Sequence, residues 1–195
     1  MARPRAFNEA SVVESARDQF WSFGYAATSL DDLVNATGLS KGSIYNAFND
    51  KHTLYLRTFE RYCVDVIAQV ATHLEGPDDT AVERLRSLFD GIAGTCTSAT
   101  GPSGCFLTKA TAELASLDHD VQTLARRTFD QLENLLFERV VAAQRSGSIA
   151  ATRDPRRTAR HLLATLRGLD ALATAGVESA VLADAVSSLA ESVLT

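Results

Sequence analysis

Cysteine, proline and tryptophan are scarce in this chain of 195 residues, which holds three, four and one of them respectively. The thiols Cys63, Cys96 and Cys105 lack CxxC spacing and are odd in number, which argues against a disulfide framework and against a thiolate metal site. No apolar run approaches the roughly 20 residues that span a bilayer. The N-terminal Met1-Ala2-Arg3-Pro4-Arg5 has no apolar stretch behind it and no cleavage signal. A cytoplasmic protein without membrane association is expected. Enzyme signatures are missing as well: no GxGxxG after a strand, no Walker loop and no GxSxG elbow, and the Gly101–Gly104 loop lacks a following Lys-Ser/Thr. His52, His73, His119 and His161 are scattered, and none pairs with another His or Cys at metal-ligand spacing. Asp118-His119-Asp120 occupy adjacent helix positions and point apart. Catalysis, a metal and a cofactor are all unexpected.

What is present suits a helical globular protein. Hydrophobic residues make up 46% and charged residues 22%, a mixture that fits neither disorder nor a fibre. Alanine and leucine dominate the second half, which favours helix. Charge is informative once divided. Residues 1–61 carry seven Lys/Arg and seven Asp/Glu, whereas residues 62–195 carry twelve and seventeen, so the whole net charge of -5 lies in the latter. An acidic body repels phosphates, which places any nucleic-acid contact in the N-terminal third. That third is neutral, so its motif rather than its charge must make the case.

Helix signals follow one another along the chain. Asn8 is a good N-cap; Val12, Ala16, Phe20 and Phe23 share one face, and Gly24 is a stop. Thr28 or Ser29 caps a short helix with Leu30, Leu33 and Val34 inside, ended by Gly38. Ser40 caps a third, from Lys41 to about Phe48. Asp50 caps a long fourth to about Leu74, with a turn at Glu75-Gly76-Pro77-Asp78. A helix through Val82, Leu85, Phe89 and Ile92 precedes a polar loop, Thr97 to Gly104. A short segment from Cys105 to Ala115, a long helix from Asp118 to about Gln144, and two last helices near 154–174 and 178–193 complete the pattern. The expected fold is all-α with about nine helices, divided into residues 1–50 and 51–195.

Two short helices joined by a glycine turn form a helix-turn-helix. Gly38 supplies the turn, Leu39 plugs the angle, and Ile44 packs the second helix onto the first. Lys41, Gly42, Ser43, Tyr45 and Asn46 are left near the outward N-terminal end, which in this motif enters the major groove. Lys41 offers charge to phosphate or to guanine O6/N7, Gly42 allows close backbone approach, and Ser43 can bond a base edge or phosphate. Tyr45 and Asn46 offer neutral donors to the sugar-phosphate wall. Amides at the start of the next helix, with Lys51 and His52, are candidates for another phosphate.

The runs Gly24-Tyr25-Ala26-Ala27-Thr28-Ser29 and Gly38-Leu39-Ser40-Lys41-Gly42-Ser43-Ile44-Tyr45-Asn46-Ala47-Phe48, followed by Lys51 and Leu54, resemble the TetR/AcrR family of repressors. The likeness is dense over residues 8–62 and rests on helix count and length beyond them. It implies a homodimer that binds double-stranded, palindromic operator DNA and leaves it when a small-molecule effector occupies the C-terminal domain. It also implies that Thr28, Ser40, Lys41, Ser43, Tyr45, Asn46 and Lys51 hold DNA-contacting positions. Asn49-Asp50 depart from the usual Pro-Ser or Gly-Ser, and Asp50 brings a negative charge near the phosphate path unless its carboxylate is taken up as a helix cap. Arg3 and Arg5 are candidates for an arm reaching the minor groove or backbone.

In the C-terminal part, Phe59, Tyr62, Cys63 and Val66 on the long fourth helix face the helices carrying Phe89, Phe106, Phe129 and Leu132. Together they are candidates either for an apolar effector pocket or for solid core. Leu162, Leu166, Leu169, Val186 and Leu189 on the last two helices are candidates for a four-helix dimer interface. Cys105 follows a Gly-rich loop at a helix start, where the macrodipole favours a thiolate, with Lys109 four residues on along the same face. An electrophile- or oxidant-sensing repressor acting through Cys105 is therefore one alternative, and a small buried residue is the other reading of that cysteine. Cys63 and Cys96 read as core thiols. From another class, a helical dimeric interaction module without DNA binding remains open, given the neutral head.

Overall fold

The computed structural model describes residues 7–95 and 104–193, side chains at 92–95 and 193 excepted. Arg3, Arg5, Cys96 and residues 97–103 of the polar loop lie outside the described residues. Among those described there are nine α-helices and no strand: α1 (Glu9–Phe23), α2 (Leu30–Thr37), α3 (Lys41–Phe48), α4 (Lys51–Leu74), α5 (Ala81–Thr95), α6 (Phe106–Leu114), α7 (His119–Arg145), α8 (Pro155–Thr174) and α9 (Ser179–Val193). A 3₁₀ turn, Asp78–Thr80, precedes α5.

The boundaries follow from capping. Asn8 accepts the amides of Ala10 and Ser11, and Asp50 accepts that of Thr53 at 2.7 Å. Asp118 accepts those of Asp120 and Val121, and Asp154 those of Arg156 and Arg157, with Pro155 at the first helical position. Before α2 the cap is Ser29, not Thr28. Ser29 and Asp32 satisfy each other's backbone amides in a reciprocal capping box. Gly38 ends α2 in the left-handed region at φ +70°, where a side chain would be strained.

Helices α1, α2 and α3 pack around Val12, Ala16, Phe20, Leu33, Ile44 and Phe48, all buried. This head sits on the first half of α4. The rest of α4 runs into the body, where it meets α5, α6 and α7, and α7 in turn packs along α8. Aromatic rings make the two cores continuous. Tyr55 of α4 meets Phe20 of α1 edge-on at 5.1 Å and Phe106 of α6 at 5.9 Å. Phe106 also stacks near Trp21 of α1 at 6.1 Å and meets Tyr62 at 5.6 Å. Such pairs add roughly 0.5–1.5 kcal/mol beyond burial. No helix among the described residues is long and apolar enough to cross a membrane.

The five candidates for the dimer interface require correction. Leu162, Leu166, Leu169, Val186 and Leu189 are each at most 6% exposed within one protomer. They face the protomer's own core, because the apolar stripe of an amphipathic helix satisfies its own bundle first. The outward face of α8 and α9 carries His161, Ala164, Gly168, Ala171, Leu172 and Val181, all exposed.

Leu162→Ala therefore opens a cavity inside the protomer and lowers unfolding free energy by about 2–5 kcal/mol. Urea denaturation at fixed protomer concentration checks this, and a variant that changed only the association constant would return Leu162 to the interface.

Candidate nucleic-acid interface

The geometry of α2 and α3 leaves one surface free. The Ser40 side chain accepts the Ser43 amide at 3.2 Å and lies 2.9 Å from the Ser43 hydroxyl, which fixes the first turn of α3. Ile44 and Phe48 point inward and are buried. Ser40, Lys41, Gly42, Tyr45 and Asn46 are exposed, with Tyr45 at 47%, and Ser43 is half-buried. Lys41 pairs with Asp31 of α2 at 2.8 Å, both side chains more than half exposed. A surface pair of that kind is worth little, so the ammonium is free to exchange Asp31 for a phosphate. The outer face of α3 is thus polar, hydroxyl- and amide-bearing and close to electrically neutral.

Of the expected DNA surface, Thr28 faces inward, and Lys51 and His52 are half-buried and engaged within the chain. Thr28 is 1% exposed, and its hydroxyl donates to the Gly24 carbonyl at 2.7 Å. Lys51 is half-buried, and Nζ donates to the carbonyls of Tyr25 at 2.7 Å and Thr28 at 2.6 Å while lying 4.3 Å above the Tyr25 ring. Burial holds the Lys51 ammonium below its ordinary pKa, opposed by the nearby Glu113 carboxylate. His52 is drawn to Asp118, its Nε2 being 2.6 Å from Oδ2. Thr28 and Lys51 share one cause: the loop between α1 and α2 has carbonyls that no helix satisfies, and these two side chains take them up. Asp50, the departure from the family pattern, has its carboxylate engaged by the Thr53 amide, which holds it below the ordinary carboxylate range.

The loop is held from the body too. Glu113 of α6 accepts the amides of Tyr25 and Ala26 at 3.0 and 2.9 Å, and Lys109 donates to the Trp21 carbonyl at 3.2 Å. Neither role has a signature in the sequence, since the partners are 87 or more residues away. His52, Asp118 and Asp120 bring ligand-type atoms within 4.8 Å of one another. However, Asp118 spends Oδ1 on two helix amides and Oδ2 on His52. This cluster reads as a cap of α7 with a hydrogen bond to the start of α4.

The effector candidates lie in the body core. Phe59, Cys63, Phe89, Phe106 and Leu132 are at most 2% exposed, whereas Tyr62, Val66 and Phe129 are half-buried. Phe106 also lines a groove of about 440 Å³ with Phe20, Trp21, Phe23, Lys109 and Glu113. Cys105 is buried at the N-cap of α6, where Tyr62 Oη and Arg167 Nη1 each donate to Sγ at 3.3 Å. The cation at this thiol is Arg167 of α8, not Lys109, whose ammonium goes to α1. Arg167 also pairs with Asp170 at 3.0 Å, opposing the burial that pushes Asp170 above the ordinary carboxylate range. For Cys63, burial with no cation beside it pushes the thiol up to about 12.

A capped pair of short helices at an αL glycine turn, carried on a helical body, defines a helix-turn-helix transcription regulator rather than an enzyme. The particular family is TetR, and this chain belongs to it. Residues 12–58 match the model of bacterial regulatory proteins of the tetR family. Residues 81–189 match the tetracyclin repressor-like C-terminal domain. The HTH-type transcriptional repressor ComR of Escherichia coli is 28% identical over 174 residues, covering 89% of this chain and 83% of ComR. The HTH-type transcriptional repressor DhaR of a Mycobacterium species is 27% identical over 157 residues, 80% of this chain and 77% of DhaR. Among solved structures, a cysteine-substituted TetR-family regulator CifR in complex with 26-bp double-strand operator DNA has a similar fold. Its TM-score is 0.84 at 24% identity, over 98% of this chain and 99% of that one.

The Asp118 cap and its hydrogen bond with His52 carry a pH dependence. Burial raises the Asp118 carboxyl, but the Val121 amide and His52 outweigh it and hold the group below its ordinary 3.8. The unfolded chain therefore takes up this proton first as pH falls, so the stabilisation is complete above about pH 4 and is lost through the folded-state pKa below it. Asp118→Asn keeps a competent cap and flattens the acid limb of stability against pH, as followed by thermal melts between pH 3 and 6. Lys51→Met removes two charge-assisted hydrogen bonds and lowers stability by about 1–3 kcal/mol. Melts that match the wild type would instead place the ammonium in solvent.

Proposed function

We propose that this chain is a cytoplasmic repressor that binds a palindromic operator as a homodimer and releases it when a small, largely apolar effector enters the C-terminal body. The observation that carries the reading is the exposed face of α3, where Ser40, Lys41, Gly42, Tyr45 and Asn46 stand clear of a fully packed inner face. The functional division falls at Asp50: residues 1–50 read DNA and residues 51–195 sense and dimerise. Exposed small residues on α8 and α9 let two copies pack closely. Two heads on one side of a duplex then meet half-sites roughly 34–36 Å apart, one DNA turn. Phe59, Tyr62, Cys63, Val66, Phe89, Phe106, Phe129 and Leu132 are the side chains an apolar effector would part or displace.

A second reading concerns the signal. The Cys105 sulfur faces the Arg167 guanidinium and the Tyr62 hydroxyl at a helix start, so an anionic sulfur there has a partner already in place. In this reading the Cys105 sulfur adds across the activated double bond of an electrophile, the π bond breaking and the thiol proton ending on the adjacent carbon, and the changed contacts at the start of α6 release the operator.

Lys41→Ala weakens binding to every duplex alike and lowers the slope of log affinity against log salt by about 1. Tyr45→Ala weakens operator binding by about 0.5–1.5 kcal/mol with an unchanged melting temperature. Gel shifts on DNA flanking the gene, run at several salt concentrations, read both, and salt-independent binding by the wild type would remove the DNA-reading proposal. For the second reading, N-ethylmaleimide releases operator from wild type but not from Cys105→Ser. Release from both proteins would dismiss Cys105 as the sensor.

A further inference from the structure

Cys105, Lys109 and Glu113 recur every fourth residue along one face of α6, beginning at its N-cap. The first lies in the polar cluster of the body, while the other two end on the backbone of the head. Lys109 covers the Trp21 carbonyl in the last turn of α1. Both oxygens of Glu113 are used, Oε2 by the Tyr25 amide and Oε1 by the Ala26 amide. Lys51 grips the same loop from the other side through the carbonyls of Tyr25 and Thr28. The loop's backbone is therefore sorted by charge, with carbonyl groups on an ammonium and N–H groups on a carboxylate. Gly24 makes the approach feasible. Its φ is +84°, and a Cβ there would lie 2.9 Å from Glu113 Oε2.

The loop leads through the Ser29 cap directly into α2, so its position sets the direction in which the reading unit leaves the body. We propose that Glu113 is a positioning residue that fixes the pitch of the helix-turn-helix head, and through it the half-site spacing that the dimer accepts. The proposal rests on the reading of this chain as a dimeric operator-binding protein. Hydrogen bonds to a carboxylate are directional and about twice as strong as neutral ones, and they act on the loop itself, whereas the packing of α1 on α4 acts one element before it. A rotation of each head displaces both reading helices along the duplex, and a two-fold dimer doubles that error. Because Glu113 shares a helix with Cys105, a displacement of α6 at the body end reaches the same loop.

Glu113→Gln is nearly isosteric and sets an amide NH₂ against one of the two backbone donors, leaving the close approach at Gly24 intact. Hydrogen exchange on the full chain reads the clamp without DNA, and the expected result is that the Tyr25 and Ala26 amides exchange about tenfold faster or more while α7 and α8 keep their protection. Operator reading uses two probes: a duplex selected by the wild-type protein from a randomised pool, and the same duplex with its half-sites moved apart by two base pairs. The variant is expected to lose much of the wild-type preference for the selected spacing, with its melting temperature and dimer mass retained. Unchanged exchange at the two amides, or an unchanged spacing preference, overturns the proposal. If the wild type selects no duplex, operator reading falls and the spacing role with it, while the exchange data still decide whether Glu113 holds the loop. Glu113→Ala, which only deletes the acceptor, separates a repulsive artefact of glutamine from loss of the clamp, and an intact spacing preference in that variant also overturns the proposal.

Discussion

Between the end of α1 and the cap of α2, residues 24–28 must turn a chain through a tight corner without a helix to occupy their backbone. Buried amides and carbonyls left unpaired are costly, and the corner lies against α4 and α6. Lys51 and Glu113 meet that demand from opposite sides, and Thr28 meets it from within by turning its hydroxyl back to the Gly24 carbonyl. Once the corner is fixed, α2 and α3 have a direction, Tyr55 has both Phe20 and Phe106 to pack against, and the head becomes an extension of the body's core.

Local signals were legible in the sequence and distant ones were not. Asn8, Ser40, Asp50 and Asp118 cap the helices their positions indicate, because a cap is decided within three residues. Periodicity likewise found the inward faces of α1, α2 and α3, except at Phe23, which the last turn of α1 leaves 63% exposed. It misled at α8 and α9, where Leu162, Leu166 and Leu169 form a stripe whose period says that it is buried but not against what. The family motif named Lys51 as a residue that matters, but not that its ammonium donates to the loop carbonyls of Tyr25 and Thr28. Glu113, Arg167 and the pairing of His52 with Asp118 carried no signal, since each depends on a partner at least 62 residues away.

Among the described residues, the body buries a polar knot within its largely apolar interior. Asp170 is 8% exposed, and its attachment to Arg167, beside Cys105 and Tyr62, brings a charge pair into the space where α4, α6 and α8 converge. Arg167 and Asp170 both belong to α8, and the bond that reaches α6 is the one Arg167 Nη1 donates to Cys105 Sγ. The two described thiols differ accordingly. Cys63 is surrounded by core and held protonated, whereas Cys105 sits in the only part of the described core where a cation already faces sulfur.

The near-neutral reading face has a consequence for how such a protein travels through a genome. Under the proposed operator reading, with no excess of basic groups over residues 1–61, non-specific contact with duplex rests on few cations, Lys41 among them, so few counterions are released and residence there is short. One-dimensional sliding contributes little to target search under those conditions. Discrimination then resides in hydroxyl, amide and backbone contacts made only when the bases match, which keeps the pool of molecules sequestered on chromosomal DNA small.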